Sequence, residues 1–257
     1  MQSTNDLLNA KILQDMLKSD VEVIYYPSID STNTQAKRLI NEGKSGCFLV
    51  VSDEQTSGRG RQGKRFYSPK KTGIYMSFVF HPKKAFEDVI SSTTAAAVAL
   101  CRAIEALTDL KPEIKWVNDI YIGGKKVCGI LCEAVSDIET HRINSVIIGI
   151  GVNISTESFP EYVENAASLG KAISRTQLIA EITHQLEAVV SKDFSEFIEY
   201  YRSRSMIIGK DITYIQNGVA TLATALEIEN DGGLKVQLEV GEIKTLRSGE
   251  ISIRKRN

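Results

Sequence analysis

The sequence predicts an α+β fold, a mixed and largely antiparallel sheet packed with helices, followed by a small C-terminal β-barrel. Three observations carry it. Between residues 111 and 154 several β-rich runs follow one another with only short turns between them, which implies antiparallel pairing. Two blocks, Ser91 to Leu110 and the stretch after Ser174, show helical apolar stripes. From about Met206 the helical stripe disappears and short β-rich segments alternate with Asn/Gly turns, so the chain divides into residues 1–205 and 206–257.

At the start, apolar residues at 7, 8, 12, 13, 16 and 17 interleave with Asp6, Lys11, Asp15 and Lys18, an amphipathic helix and not a signal sequence. VEVIYYP is a strand ended by Pro27, after which Asp30 or Ser31 caps a helix to about Asn41. CFLVVSDEQ and GIYMSFVFHP are strands on either side of a Gly-rich basic loop. Ser91 to Leu110 combines a Ser cap with strong helix formers. EIKWV leads into an Asn118-Asp119 turn, then a hairpin around Gly123-Gly124, then RINSVIIGIGVNIS as a long central strand. Ser174 and Gln177 stand in capping-box spacing before LIAEITHQLEAVV, and FSEFIEYYRSRS follows. DITYIQ, an Asn217-Gly218 turn, ATLATALEIE, a turn at 230–233, LKVQLEV and EISIR make the barrel.

A net charge of −1 over 257 residues argues against a protein that coats nucleic acid, but Arg59 to Lys71 carries six cations and no acid. One local anion site is expected there. Cys47, Cys101, Cys128 and Cys132 stand at no zinc spacing and in apolar surroundings, and His81, His141 and His184 are far apart. Packing thiols, a reducing cytoplasmic setting and no protein metal site are therefore expected. The longest apolar stretches read as too short to span a bilayer, so no membrane association is expected.

The loop Gly58-Arg59-Gly60-Arg61-Gln62-Gly63-Lys64 matches both G-x-G-x-x-G and the first part of a P-loop. Arg65 stands where a P-loop needs Ser or Thr, and Phe66-Tyr67-Ser68-Pro69 opposes the helix that both motifs require. What remains is a loop able to wrap backbone N–H groups and guanidinium forks around an anion. A solvated surface loop and a nucleic-acid arm are the alternatives. In the hairpin, alternation puts Lys126 on one face with Cys128, Ile130 and Cys132, an apolar face on which a lysine needs a partner or a ligand anion. The bland alternative leaves Lys126 as a turn residue with its ammonium in water.

S-T-N at 31–33, Q-x-x-G-R-G-R-x-G from Gln55, K-W-x-N-D from Lys115 with K-x-x-G-I-L from Lys126, G-I-G-V-N ending at Asn153 and S-G-E-I-S-I-R ending at Arg254 occur in that order. Together they resemble biotin protein ligases over nearly the whole chain. The resemblance implies a class II synthetase-like catalytic domain with an SH3-like C-terminal barrel, ATP-dependent formation of biotinyl-5′-AMP, and transfer of biotin to a lysine of a biotin carboxyl carrier protein. Magnesium is implied with the nucleotide.

Carried over by position, the resemblance assigns biotin binding to Ser31, Thr32, Asn33, Gln55, Gly58, Arg59, Gly60, Arg61, Lys126 and Gly129. A buried cyclic urea needs donors for its oxygen and acceptors for its N–H groups, each left unmade costing about 1 to 3 kcal/mol, and hydroxyls and amides supply both. Nucleotide binding falls to Arg61, Lys64, Phe66, Lys115, Asn118, Asp119 and Asn153, and catalysis to Arg61 and Lys126. Phe66 stands where the family often has Trp, and Val117 where it usually has Pro. About thirty residues precede Ser31, which implies a monofunctional ligase without the DNA-binding domain of some family members, and no DNA partner. The family's sheet often pairs in homodimers, so a homodimer is a further expectation. A lipoate ligase or octanoyl transferase of the same fold is the nearest rival, with a nucleic-acid-binding module and a silent adaptor behind it.

Overall fold

A computed structural model describes residues 8–82, 89–136, 143–170, 173–190, 192–216 and 218–254. Leu7 and its predecessors, His141 and Asn217 of the expected turn lie outside the described residues. α1 (Ala10–Leu17) is capped by Asn9, whose side chain accepts from the Ile12 N–H, and it ends where Lys18 turns left-handed. Its Leu13 and Leu17 are buried, it packs on the helix at 175–190, and Gln14 bonds both Val21 O and Val23 N beside the first strand.

The main sheet has seven strands in the order β1 (Glu22–Tyr26), β2 (Phe48–Ser52), β3 (Gly73–Phe80), β7 (Ile143–Asn153), β6 (Lys125–Ser136), β5 (Asp119–Ile122) and β4 (Glu113–Lys115). Only β1 and β2 run parallel, joined by the crossover helix α2 (Thr32–Asn41), so the expected mixed, mainly antiparallel sheet is present. β3 is buried at every position because helices cover both faces. On one side lie α3 (Val89–Leu107) and α4 (Arg175–Val190); on the other, α2 closes a smaller cluster of Ala36, Phe48, Val50, Val79 and Ile147. α5 (Ile198–Arg204) packs on α3 and β4.

Several expectations change in detail. Ser91 lies inside α3, which is already helical at Val89, and the helix stops at Leu107 because the Thr108 hydroxyl takes Ile104 O and serves Leu110 N. By length and hydropathy Ile90–Leu107 could cross a membrane, contrary to the reading that no stretch is long enough; with 72% of it buried in the fold, its apolar surface is core surface. Cys101, Cys128 and Cys132 are buried as expected and burial pushes their thiols upward, but Cys47 is exposed, in the connection that precedes β2.

The largest change is in β6. Ile120 pairs with Cys128 while Tyr121 pairs with Lys126, so Val127 is an extra residue in the strand. That bulge breaks the alternation which had put Lys126 with Cys128. Cys128 is fully buried against the core, whereas the Lys126 chain runs toward Gly129 on the opposite side.

The remaining strands form a five-stranded sheet in the order β11 (Ile243–Leu246), β10 (Leu234–Leu238), β9 (Val219–Ile228), β8 (Asp211–Gln216) and β12 (Glu250–Ile253). β11 and β12, four residues each, pair on one side only among the described residues, so by pairing the sheet is open where a barrel was expected. β11 was not anticipated from sequence. The Trp116 indole N–H donates to Gly232 O at 2.8 Å, tying the two sheets together.

Behind the sheet's upper edge, Arg175 at the start of α4 donates to Asp53 at 2.8 Å with side chains only 1% and 5% exposed. The Tyr25 hydroxyl donates to the other Asp53 oxygen at 2.7 Å, and burial together with this bond pushes the Tyr25 phenol up to about 12. Arg175 also reaches Gly73 O, so one cation holds the ends of β2 and β3.

Candidate functional site

Where β5, β6 and β7 meet the Gly-Arg loop, the start of α2, residues 159–166 and the turn before β12, the chain encloses a cleft of about 780 Å³. Every residue assigned to the site from sequence lines it except Gly58. Gly58 sits behind the loop, where a Cβ would come within 2.4 Å of Phe66 O and 2.6 Å of Ser68 Oγ. Its role in the structure is close packing.

One end of the cleft is a neutral polar network. Ser31 occupies the N-cap of α2, but its hydroxyl makes no capping bond; the Asp30 carboxylate before it accepts the Ser31 N–H and pairs with Arg38. Ser31 lines the cleft. Gln55 Oε1 accepts from both the N–H and the hydroxyl of Thr32 (2.9 and 3.1 Å), and Gln55 Nε2 donates to Ser68 Oγ at 2.9 Å. Asn33 Nδ2 donates to Leu131 O and to Glu133 Oε2, at 3.1 and 2.8 Å. Ser77 Oγ, fully buried, lies 2.8 Å from Thr32 Oγ1 and 2.6 Å from Asn33 Oδ1.

Two glycines of β7 make room for this end. A Cβ at Gly149 would stand 2.1 Å from Asn33 Oδ1, and one at Gly151 would stand 2.4 Å from the Phe66 ring. Phe66 therefore lies flat over Gly151 and its register partner Gly129. The loop that carries it is a tight turn: Gly60 N donates to Lys64 O, Phe66 N to Gly58 O, and Gln62 and Gly63 have positive φ.

The other end is cationic. Lys126 Nζ is 2.7 Å from Asp119 Oδ1, and Arg61 donates to Asn118 Oδ1 at 3.0 Å. Lys115 pairs in register with Asp119, and burial holds its ammonium below the usual lysine range against the opposing pull of Asp119. Lys64 is bridged to Glu250 of β12, which brings the second sheet to the cleft wall. Arg59 turns the other way and grips Glu133 through two bonds of 3.1 and 3.0 Å. Lys126 N and O bond Asn165 and Ala167, and Asn153 donates to Ala167 O, so residues 165–167 close that side.

An end rich in neutral donors and acceptors joined to an end with three or four cations can hold a polar heterocycle beside a polyanion. Sequence reasoning assigned no role here to Ser77, Ser68, Gly149, Gly151 or Glu250. Two signals were present: Ser77 is the one polar side chain in GIYMSFVF besides a tyrosine, and G-I-G in an apolar strand marks a close approach. Among the described residues no three His, Cys, Asp or Glu gather as a metal site.

Residues 25–153 match the family model described as the biotin/lipoate A/B protein ligase family. The bifunctional ligase/repressor BirA of Bacillus spizizenii is 33% identical over 251 residues, 92% of this chain and 76% of the relative. The biotin--[acetyl-CoA-carboxylase] ligase of Mycobacterium tuberculosis is 26% identical over 84% of this chain and 86% of its own. Among solved structures, the Aquifex aeolicus biotin protein ligase in complex with biotin and ATP superposes with a TM-score of 0.74 at 27% identity, covering 91% of this chain and 99% of that one.

Proposed function

Because the chain belongs to the biotin/lipoate A/B protein ligase family, we propose that it is a biotin–[acetyl-CoA-carboxylase] ligase, which makes biotinyl-5′-AMP from biotin and ATP and passes the biotin to a lysine of a carboxyl carrier protein. One observation carries the reading: the neutral network of Thr32, Asn33 and Gln55 and the cations Arg61 and Lys126 line a single cleft. The cyclic urea takes the neutral end and the valerate carboxylate points to the cationic end.

There a carboxylate oxygen attacks the α-phosphorus of ATP, and the bond to the departing pyrophosphate breaks. Arg61 and Lys126 hold the carboxylate and α-phosphate against their mutual repulsion, while Lys115 and Lys64 meet the remaining phosphates. Asn118 and Asp119 stand beside them, and Asn153 and Phe66 serve the adenosine side. Asp119, a carboxylate among these cations, would hold a magnesium, whose charge would offset that of the phosphates. The acceptor lysine amine then attacks the acyl carbonyl and AMP leaves. Residues 1–205 are the catalytic unit, and residues 206–257, read as an SH3-like barrel module, supply the Glu250 wall.

Mass spectrometry of a carrier domain after incubation with the protein, biotin, ATP and magnesium tests this: a gain of one biotin is expected, and lipoate in place of biotin gives none. Transfer of lipoate but not of biotin would turn the assignment to the rival activity of the family.

Gly149→Ala is expected to raise the KM for biotin about tenfold, because the new Cβ displaces Asn33 and leaves about one polar contact to the urea unmade. An unchanged KM would remove Asn33 from urea recognition. The Gly-Arg loop is expected to close over the adenylate and keep water from the mixed anhydride. Trypsin cleavage between Arg59 and Arg65 should accordingly slow when biotin and ATP are both present; equal rates would contradict closure.

A further inference from the structure

We propose that Glu133 is a positioning residue for the biotin head, its carboxylate fixing which way the Asn33 amide and the Arg59 guanidinium face. The proposal rests on the ligase reading and names a residue to which that reading gives no part. An asparagine amide has two nearly isosteric orientations, and its surroundings decide between them. Leu131 O and the Glu133 carboxylate only accept, so Asn33 Nδ2 faces them and Oδ1 is left toward Ser77. Ser77 has one proton, and the nearer of its two acceptors is Asn33 Oδ1 at 2.6 Å. Thr32 Oγ1, the more distant acceptor at 2.8 Å, has only the weaker share of that proton, which leaves its lone pairs open to a ligand N–H.

With Asn33 reversed, Ser77 would accept from Nδ2 and donate to Thr32, and an acceptor facing the urea would be lost. The same carboxylate holds Arg59 through both terminal nitrogens, which fixes the plane of a side chain 46% exposed. Glu133 thus sets the donor and acceptor sense of two elements at once, the α2 start and the Gly-Arg loop.

Glu133→Gln is the informative change, since it keeps the size but replaces one acceptor oxygen by a donor that must face either Asn33 or Arg59. In biotin-dependent ATP–pyrophosphate exchange, Glu133→Gln and Glu133→Ala are expected to raise the KM for biotin about tenfold or more, with kcat and the KM for ATP within about twofold of the unaltered protein. Thermal melting confirms that each variant is folded. A biotin KM unchanged in both folded variants overturns the proposal, as does a parallel fall in kcat and rise in both KM values, which would mean general damage. The unaltered protein reports on the ligase reading separately: absent exchange there sinks that reading and this proposal together, whereas normal exchange with unshifted variants sinks the proposal alone.

Discussion

Lys126→Ala is expected to slow biotinyl-adenylate formation by roughly 10² to 10³, the loss that follows removal of one preorganised charge donor from a transition state. The ammonium projects from the bulge in β6 into the cleft, 2.7 Å from Asp119 and in the same cleft as Arg61. Without it the carboxylate of biotin approaches the α-phosphate with one cation fewer, and Asp119 adds an uncompensated negative charge beside the same phosphates. Lys126→Arg keeps the charge but not the compact point donor, so it should recover only part of the rate. Pyrophosphate release measures the first step. Transfer from biotinyl-AMP supplied preformed should suffer far less, because the phosphorus chemistry is already complete. Exchange within about threefold of the unaltered protein would take Lys126 out of the mechanism.

Arg175→Ala is expected to destabilise the fold by about 3 to 5 kcal/mol, as breaking one side of a buried ion pair does. Asp53 would be left with its carboxylate 5% exposed and, among the described residues, the Tyr25 hydroxyl as its side-chain donor, and Gly73 O would lose a donor. Replacing both partners, Arg175→Met with Asp53→Asn, removes the stranded charge and should recover most of the loss. Urea unfolding of the two single variants and the double variant reads this out. Additive losses would show that the pair is uncoupled. Asp53 lies two residues before Gln55, so the single variant should also weaken biotin binding through β2.

Much of this was legible in the residues. Gly123 and Gly124 both have positive φ in the expected hairpin, and Ser31 stands at the expected cap. The periodicity at 174–190 and the apolar runs of β2, β3 and β7 became the helix and strands they implied. The separated motifs come together in one cleft because the sheet order sets β3 beside β7 and β7 beside β6. What stayed hidden has a common cause. The Val127 bulge, the Asp53–Arg175 pair and the Arg59–Glu133 grip depend on partners distant along the chain, and local pattern carries no trace of them. The alternation rule put Lys126 among Cys128 and Cys132 because a bulge has no reliable local signature.

That extra residue also governs how the strand can vary. Regular pleating over the same three-residue step from Lys126 to Gly129 would swing the ammonium under the sheet, toward the helix α3 side occupied by Cys128. Losing one residue together with the bulge would instead leave the lysine and the glycine two positions apart and on one side of the strand, so K-x-G without the extra residue presents the same face as K-x-x-G with it. In this segment the side from which the ammonium emerges, more than the number of residues between it and the glycine, is what chemistry holds constant.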